Sequence, residues 1–360
     1  MTAKPAPALI TSADLRLALT AGLSAGLVIM LGLPDPYYAP MAVGASLGGT
    51  VGATKLLGTQ RMLGTLLGGV IVAIGIGSMA QALPMPLGVG VALGLTRLLG
   101  GSLGLRSGYK VAGLVVAMGW TVHAGQLASW IPDRLVATLI GVLAAWWAVR
   151  WLWPSLAVDQ HLRLSRQLFR EVGDLLRERA ALLQQGQDLP APAKRERRNA
   201  LMASAVRLQN QRQEARIELG RDPIGQRLER IWDLQEQWLS SAIGHYRTLL
   251  RLPVLPVLPM DSPSLQALLQ AEIQLFEALA ERLELWSQHW PEGRWLQAPA
   301  NAPSRLDTCL RALEEAESEV FSDPTANAVL LSSSGGRRAI TCHQLHDGCL
   351  NFERQWQAVP

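Results

Sequence analysis

MLGTLLGGVIVAIGIGSMAQALPMPLGVGVALGLT, residues 62–96, carries no charged side chain over its whole length. Residues 17–34 carry none either. A helix needs about 20 predominantly apolar residues to cross a hydrocarbon core about 30 Å thick. The long run therefore reads as two consecutive spans, Met62–Leu83 and Met85–Leu99. Working outward from it, four more spans can be drawn: Leu15–Leu33, Tyr38–Ala53, Tyr109–Ala128 and Leu135–Trp153. The second and fourth of the six are short for a full crossing, and a re-entrant segment is the alternative at each.

The 360-residue chain then divides into a transmembrane domain over residues 1–153 and a polar domain over 154–360. Up to Trp153 there are nine Lys/Arg and three Asp/Glu; beyond it there are 24 and 26. The overall excess of +4 thus belongs to the membrane half. A basic soluble face for nucleic acid is not present, and no nucleic-acid partner is expected. Twenty-four of the 33 glycines also precede Trp153, in keeping with their use in membrane helices. The three cysteines, Cys309, Cys342 and Cys349, are too few and too odd for a disulfide framework. The first 14 residues lead into an uninterrupted span without a small-residue cleavage site, so a retained first helix is expected.

Orientation follows from the loops. Lys55 and Arg61 flank the turn expected between the second and third spans, and Arg97, Arg106 and Lys110 flank the turn between the fourth and fifth. The alternate loops hold Asp35, Asp133 and Arg134. Basic residues favour the cytoplasmic side. Both termini are therefore expected in the cytoplasm, and the location to be a cell inner or plasma membrane. Tyr37, Tyr38 and Trp130 at one boundary, and Trp146, Trp147, Trp151 and Trp153 at the other, suit interfacial belts or helix packing. Gly44, Gly48 and Gly52, then Gly64 and Gly68, then Gly90 and Gly94 recur at GxxxG spacing. That spacing lets helices approach closely, within the bundle or across a dimer.

Gly32-Leu33-Pro34-Asp35-Pro36-Tyr37-Tyr38-Ala39, followed by a Gly-rich span, resembles the first hairpin of the FUSC family, the fusaric-acid-resistance and aromatic-acid-exporter group. Thr59-Gln60-Arg61-Met62-Leu63-Gly64-Thr65-Leu66-Leu67-Gly68 resembles that family's basic turn and GTxxG signature. The resemblance covers about residues 13–153. It implies six-helix membrane units with helical cytoplasmic domains, a fold similar to the aluminium-activated malate transporters, and export of aromatic or other organic acids. Many members look like two such units in tandem. This chain has one, so the resemblance implies a homodimer.

The polar half reads as helices throughout. Expected segments are Leu156 to about Gln185, Lys194–Leu219, Pro223–Arg251, Ser264–Trp290, Ser304–Phe321 and Ala339–Trp356. Pro190 and Pro192 break the first from the second. Pro253, Pro256 and Pro259, three apart, suit a polyproline II connector. The basic cluster Lys194-Arg195-Glu196-Arg197-Arg198 reads as a solvated helix start or a contact with anionic lipid.

Chemistry-bearing patterns are sparse. On a helix, Cys342, His346 and Cys349 share one face, which suits either zinc ligation or core packing; the spacing matches no common zinc pattern, and no metal is assigned. GxxxxGK[ST] is absent, which argues against an ATP-driven pump, and no catalytic triad or HExxH stands out. No catalytic residue and no cofactor is expected. His123, near the outer end of the fifth span, reads as a proton relay or an interfacial packing residue. Lys55, Arg61, Arg97, Arg106 and Lys110 are the candidate substrate-path residues: as a ring at the inner mouth they would concentrate an organic anion, though topology alone would also place them there.

The expectation is an all-α protein: a six-span bundle followed by a cytoplasmic helical domain, in contact with membrane lipid. It would export small organic acids by secondary transport or anion conduction. The alternative is a non-transporting membrane scaffold whose helical domain recruits partners; an integral-membrane enzyme ranks last. The lack of charge within the spans implies that any binding groups come from span ends, backbone or a few Ser and Thr.

Overall fold

Thirteen α-helices and no strand make up the described residues of the computed structural model, which are 11–79, 84–220, 223–252, 262–290, 305–332 and 335–359. The all-α expectation holds. The helices gather into two units, Met1–Ala157 and Val158–Pro360.

The first unit contains α1 (Ser12–Met30), α2 (Tyr38–Ser46), α3 (Val51–Met79), α4 (Met85–Ser102), α5 (Gly108–Thr121) and α6 (Leu127–Trp151). Its patterning is inverted relative to a water-soluble bundle. On α1 the buried residues are Arg16, Thr20, Ser24 and Val28, while Leu15, Leu19, Leu23 and Leu27 are exposed. On α3, Thr54, Arg61 and Thr65 are buried while Leu63, Leu66, Val70 and Ile74 face outward. Polar groups inside and leucines outside are stable only where the surroundings are themselves apolar. The Thr hydroxyls inside are satisfied locally: Thr20, Thr65 and Thr96 donate to the carbonyls of Arg16, Arg61 and Ala92, four residues back.

Among the described residues, three helices are long and apolar enough to cross a membrane: Ser12–Met30, Val51–Ser78 and Leu127–Trp151. At ~1.5 Å per residue, the nine residues of α2 reach ~14 Å and the fourteen of α5 reach ~21 Å, short of a hydrocarbon core. The expected second and third spans are misdrawn. The chain breaks at residues 47–50, not near Met62, and α3 runs unbroken through Lys55 and Arg61. Thr50 starts the new helix by accepting from the Ala53 amide at 3.1 Å. The fifth span ends early at Thr121, and α6 begins at Leu127, so Trp130, Pro132, Asp133 and Arg134 are helical and not loop residues.

Arg16 fastens one end of this unit. Its Nη1 donates to the Trp153 carbonyl at 3.1 Å and its Nη2 to the Gly48 carbonyl at 3.2 Å. Parallel helices α3 and α5 are packed through glycine. A side chain at Gly64 would strike the Gly108 backbone, and one at Gly68 would meet the Ala112 carbonyl oxygen at 2.6 Å. Gly44, Gly90 and Gly94 have nothing within 4 Å of such a side chain, and Gly48 lies in the chain break.

The second unit contains α7 (Ala157–Gln185), α8 (Ala191–Leu219), α9 (Pro223–Arg251), α10 (Pro263–His289), α11 (Arg305–Ser322), α12 (Pro324–Ser332) and α13 (Gly335–Ala358). The expected helices are all found. The short α12 was missed; Asp323 caps it by accepting from the Thr325 and Ala326 amides. The Pro253–Pro259 connector lies outside the described residues. The core is aromatic: Phe169, Trp238, Trp286, Trp290, Phe352 and Trp356 lie ring against ring, with Trp286 and Phe352 centroids 4.7 Å apart. Buried arginines here are compensated. Arg282 pairs with Glu353, Arg338 with Glu272 at 3.0 Å, and Arg179 donates to the Leu252 carbonyl.

Candidate functional site

Two buried arginines of the first unit, unlike Arg16 with its two carbonyls, are treated differently. Arg61 projects from the polar face of α3, in register with Thr54 and Thr65, and is 7% exposed. Arg134 projects from α6, three, four and seven residues before the buried Ala137, Thr138 and Gly141, and is 2% exposed. Neither forms an ion pair among the described residues, and the Nε of each is buried without a hydrogen-bond partner. The two lie within electrostatic reach of each other.

The Pro-Asp-Pro-Tyr-Tyr hairpin builds the surroundings of Arg134. Gly32 takes a left-handed conformation (φ 65°) after α1, and Asp35 does the same (φ 57°) before α2. The hairpin delivers Tyr38, whose ring lies under the Arg134 guanidinium at 4.1 Å, with Trp130 at 5.4 Å. Trp130 Nε1 donates to the Tyr38 hydroxyl at 3.1 Å and fixes both rings. Asp35 is near enough to attract Arg134 without forming an ion pair. Cation–π contacts offset part of the desolvation of the guanidinium; its Nη1 donates to Met118 Sδ at 3.7 Å, and its Nε has no partner. The site thus holds two positive charges against one negative, in an apolar bundle. An arginine at the centre of a membrane helix costs about 2.5–3.5 kcal/mol even on lenient scales. Such an excess suits a bound anion, which would receive the unused N–H donors.

The other candidate path residues sit elsewhere. Lys55 is exposed, one turn into α3. Arg97 lies over the Tyr109 ring at 4.4 Å, and Arg106 and Lys110 are exposed around the same α4–α5 turn. Gln60 ties that turn to α3, its Oε1 accepting from the Gly108 amide at 3.1 Å. Of the five, Arg61 alone is buried. Arg134 was missed because Pro-Asp-Arg reads as a loop; the small-residue stripe following it on α6 is the signal that would have found it. Two buried cations therefore lie within the helices, at positions the charge-free runs did not reveal.

His123 stacks on Trp130, centroids 4.6 Å apart and planes 14° apart, a packing role just beyond α5. Cys342, His346 and Cys349 are buried along α13, and all three cysteines are free. Among the described residues no three His, Cys, Asp or Glu side chains group as a metal site. In the basic cluster, Lys194 pairs with Asp188 and Arg197 with Glu178.

The profile of the fusaric acid resistance protein family, FUSC, matches residues 14–358. The match extends through the polar half, well beyond the residues that carried the sequence resemblance. No curated protein matches the chain.

Proposed function

Because the chain belongs to the fusaric acid resistance protein family and is a membrane protein of transport type, we propose that its first unit carries small organic anions, with aromatic acids among them, out of the cell. The observation that supports this most is the buried pair Arg61 and Arg134, which lacks a carboxylate partner among the described residues. An organic acid is ionised near neutral pH, and its carboxylate would accept the guanidinium N–H groups that the protein leaves unused. Tyr38 and Trp130 beside Arg134 would offer ring faces to an aromatic substrate.

In this reading α1, α3 and α6 span the membrane, and α2, α4 and α5 complete a six-helix unit as shorter segments. The exposed Lys55, Arg97, Arg106 and Lys110 attract the anion at the inner mouth, where electrostatic focusing raises its local concentration. Both termini and the second unit lie in the cytoplasm, the membrane is the inner or plasma membrane, and two copies assemble as a homodimer. The sequence carries no GxxxxGK[ST] motif, so the driving force is an ion gradient or the membrane potential.

The test is flux from proteoliposomes preloaded with benzoate, salicylate, malate or succinate. Release of at least one acid that collapses when the potential or proton gradient is dissipated supports transport. No release of any acid supports the non-transporting scaffold.

A further inference from the structure

The helix pair α8 and α9 changes character along its length. Towards the end of α8 its charges are matched: Arg212 pairs with Asp233 and Glu236, and Arg216 with Glu229. These contacts run the two helices antiparallel, so the first turns of α8 lie beside the last turns of α9. There the matching stops. Lys194, Arg195 and Arg198 of α8, with Arg247 and Arg251 of α9, line a cleft of about 260 Å³. Ala191 and Leu250 complete its wall, and among the described residues no carboxylate lines it.

Helical spacing explains the gathering. Residues 194, 195 and 198 share one face of α8, and 247 and 251 are one turn apart on α9; Glu196 falls on the far side of α8. The nearby acids are already engaged. Lys194 donates to Asp188 at 2.6 Å, and Glu178 of α7 takes Arg197, which lies outside the cleft. Arg198 reaches its neighbour Asn199 Oδ1 at 3.3 Å, and Arg195, Arg247 and Arg251 form no ion pair among the described residues. With Asp188 set against Lys194, four positive charges remain around one small space.

A cleft of one sign focuses its field on an anion, and arginine forks grip phosphate oxygens two at a time. A single carboxylate would neutralise one of these charges; a diphosphate or triphosphate group can meet several together. The excess is also local. Residues 154–360 hold 24 Lys/Arg against 26 Asp/Glu, and the neighbouring cleft, beside Arg197, is lined by Glu171, Asp174 and Glu178. That pattern repels a broad anionic surface and admits a compact anion.

We infer that this cleft binds the diphosphate or triphosphate group of a soluble anion, held by Arg195 and Arg198 from α8 and by Arg247 and Arg251 from α9. The site belongs to the second unit and does not depend on whether the first unit transports.

The probe is inorganic pyrophosphate, titrated calorimetrically at low salt into the full-length protein in phosphatidylcholine nanodiscs, with sulfate as the smaller control anion. One saturable site per chain is expected, with sulfate at least about tenfold weaker. Arg195→Gln and Arg251→Gln, one from each helix, should each weaken pyrophosphate about tenfold. Arg230→Gln, on α9 outside the cleft, should leave it unchanged. All three positions are exposed, so melts without pyrophosphate should match the wild type. In nanodiscs that also contain phosphatidate, pyrophosphate should still bind. Its loss there would show that a lipid headgroup takes the cleft and would overturn the assignment to a soluble anion. Absence of saturable binding, sulfate binding as tight as pyrophosphate, or equal weakening by Arg230→Gln would each overturn it as well.

Discussion

Arg61 and Arg134 set two demands against each other. A guanidinium buried without a counter-ion destabilises the empty protein, because attraction that would offset its desolvation is missing. Function would require that cost; folding alone would not. Arg61→Met should therefore leave the anion-free protein about 1–3 kcal/mol more stable in detergent melts, and only the wild type should gain stability when a transported acid is added. If the variant is less stable in anion-free buffer, Arg61 has a structural partner and the site reading fails. His161 behaves in the opposite sense. Burial, then the nearby Arg212 charge, lowers its pKa from 6.5 to about 3, so the folded protein keeps it neutral. The unfolded chain takes up that proton near pH 6.5 while the folded one does not. Its contribution to stability is thus complete above that pH and is lost as pH falls towards about 3. Between pH 6.5 and 5 the wild type should lose about 2 kcal/mol more than His161→Gln, measured by denaturant titration at each pH. Equal losses would show that His161 is not held neutral.

At the scale of elements, the Arg-Met-Leu-Gly-Thr-Leu-Leu-Gly segment is a packing device. It brings α3 against α5 closely enough that Gly64 meets the Gly108 backbone and Gly68 meets Ala112. Gly64→Val should cost about 3 kcal/mol, since backbone cannot yield to a new methyl group. Gly94→Val, with open space beside it, should change stability by less than about 0.5 kcal/mol. Thermal melts of the two variants decide; equal effects would show that α3 and α5 do not pack this way. The polar-half helices were legible because each alternates charge and leucine at helical period between prolines, as α7 does across Leu168, Val172 and Leu176. The membrane half was harder to divide. There the polar stripe is a few Ser, Thr and Arg on otherwise apolar helices, so the break at residues 47–50 differs little in composition from the Gly-rich helix on either side. Positive-inside reasoning also assigned each cation to a loop, which hid Arg61 and Arg134 within α3 and α6. The family hairpin was visible, but its purpose, to place Tyr38 under Arg134, depends on a contact between residues nearly a hundred positions apart.

Across the whole molecule, buried arginines are handled in two ways. Arg282 and Arg338 in the second unit are each met by a buried glutamate, whereas Arg61 and Arg134 in the first form no ion pair among the described residues, Arg134 having only Tyr38, Trp130, Met118 Sδ and the more distant Asp35. A chain able to neutralise a buried arginine in one unit leaves two uncompensated in the other, where the surroundings make it costliest. Transport of an anion, as proposed, would account for that difference. The direct measurement is release of the transported acid from proteoliposomes containing wild type, Arg61→Gln, Arg134→Gln or Arg106→Gln, at matched protein content. The two buried substitutions should each slow release at least tenfold, equivalent to about 1.4 kcal/mol. Arg106→Gln, at an exposed position, should slow it only at low salt, where surface charges are unscreened. Release that is unchanged in Arg61→Gln and Arg134→Gln would contradict the account.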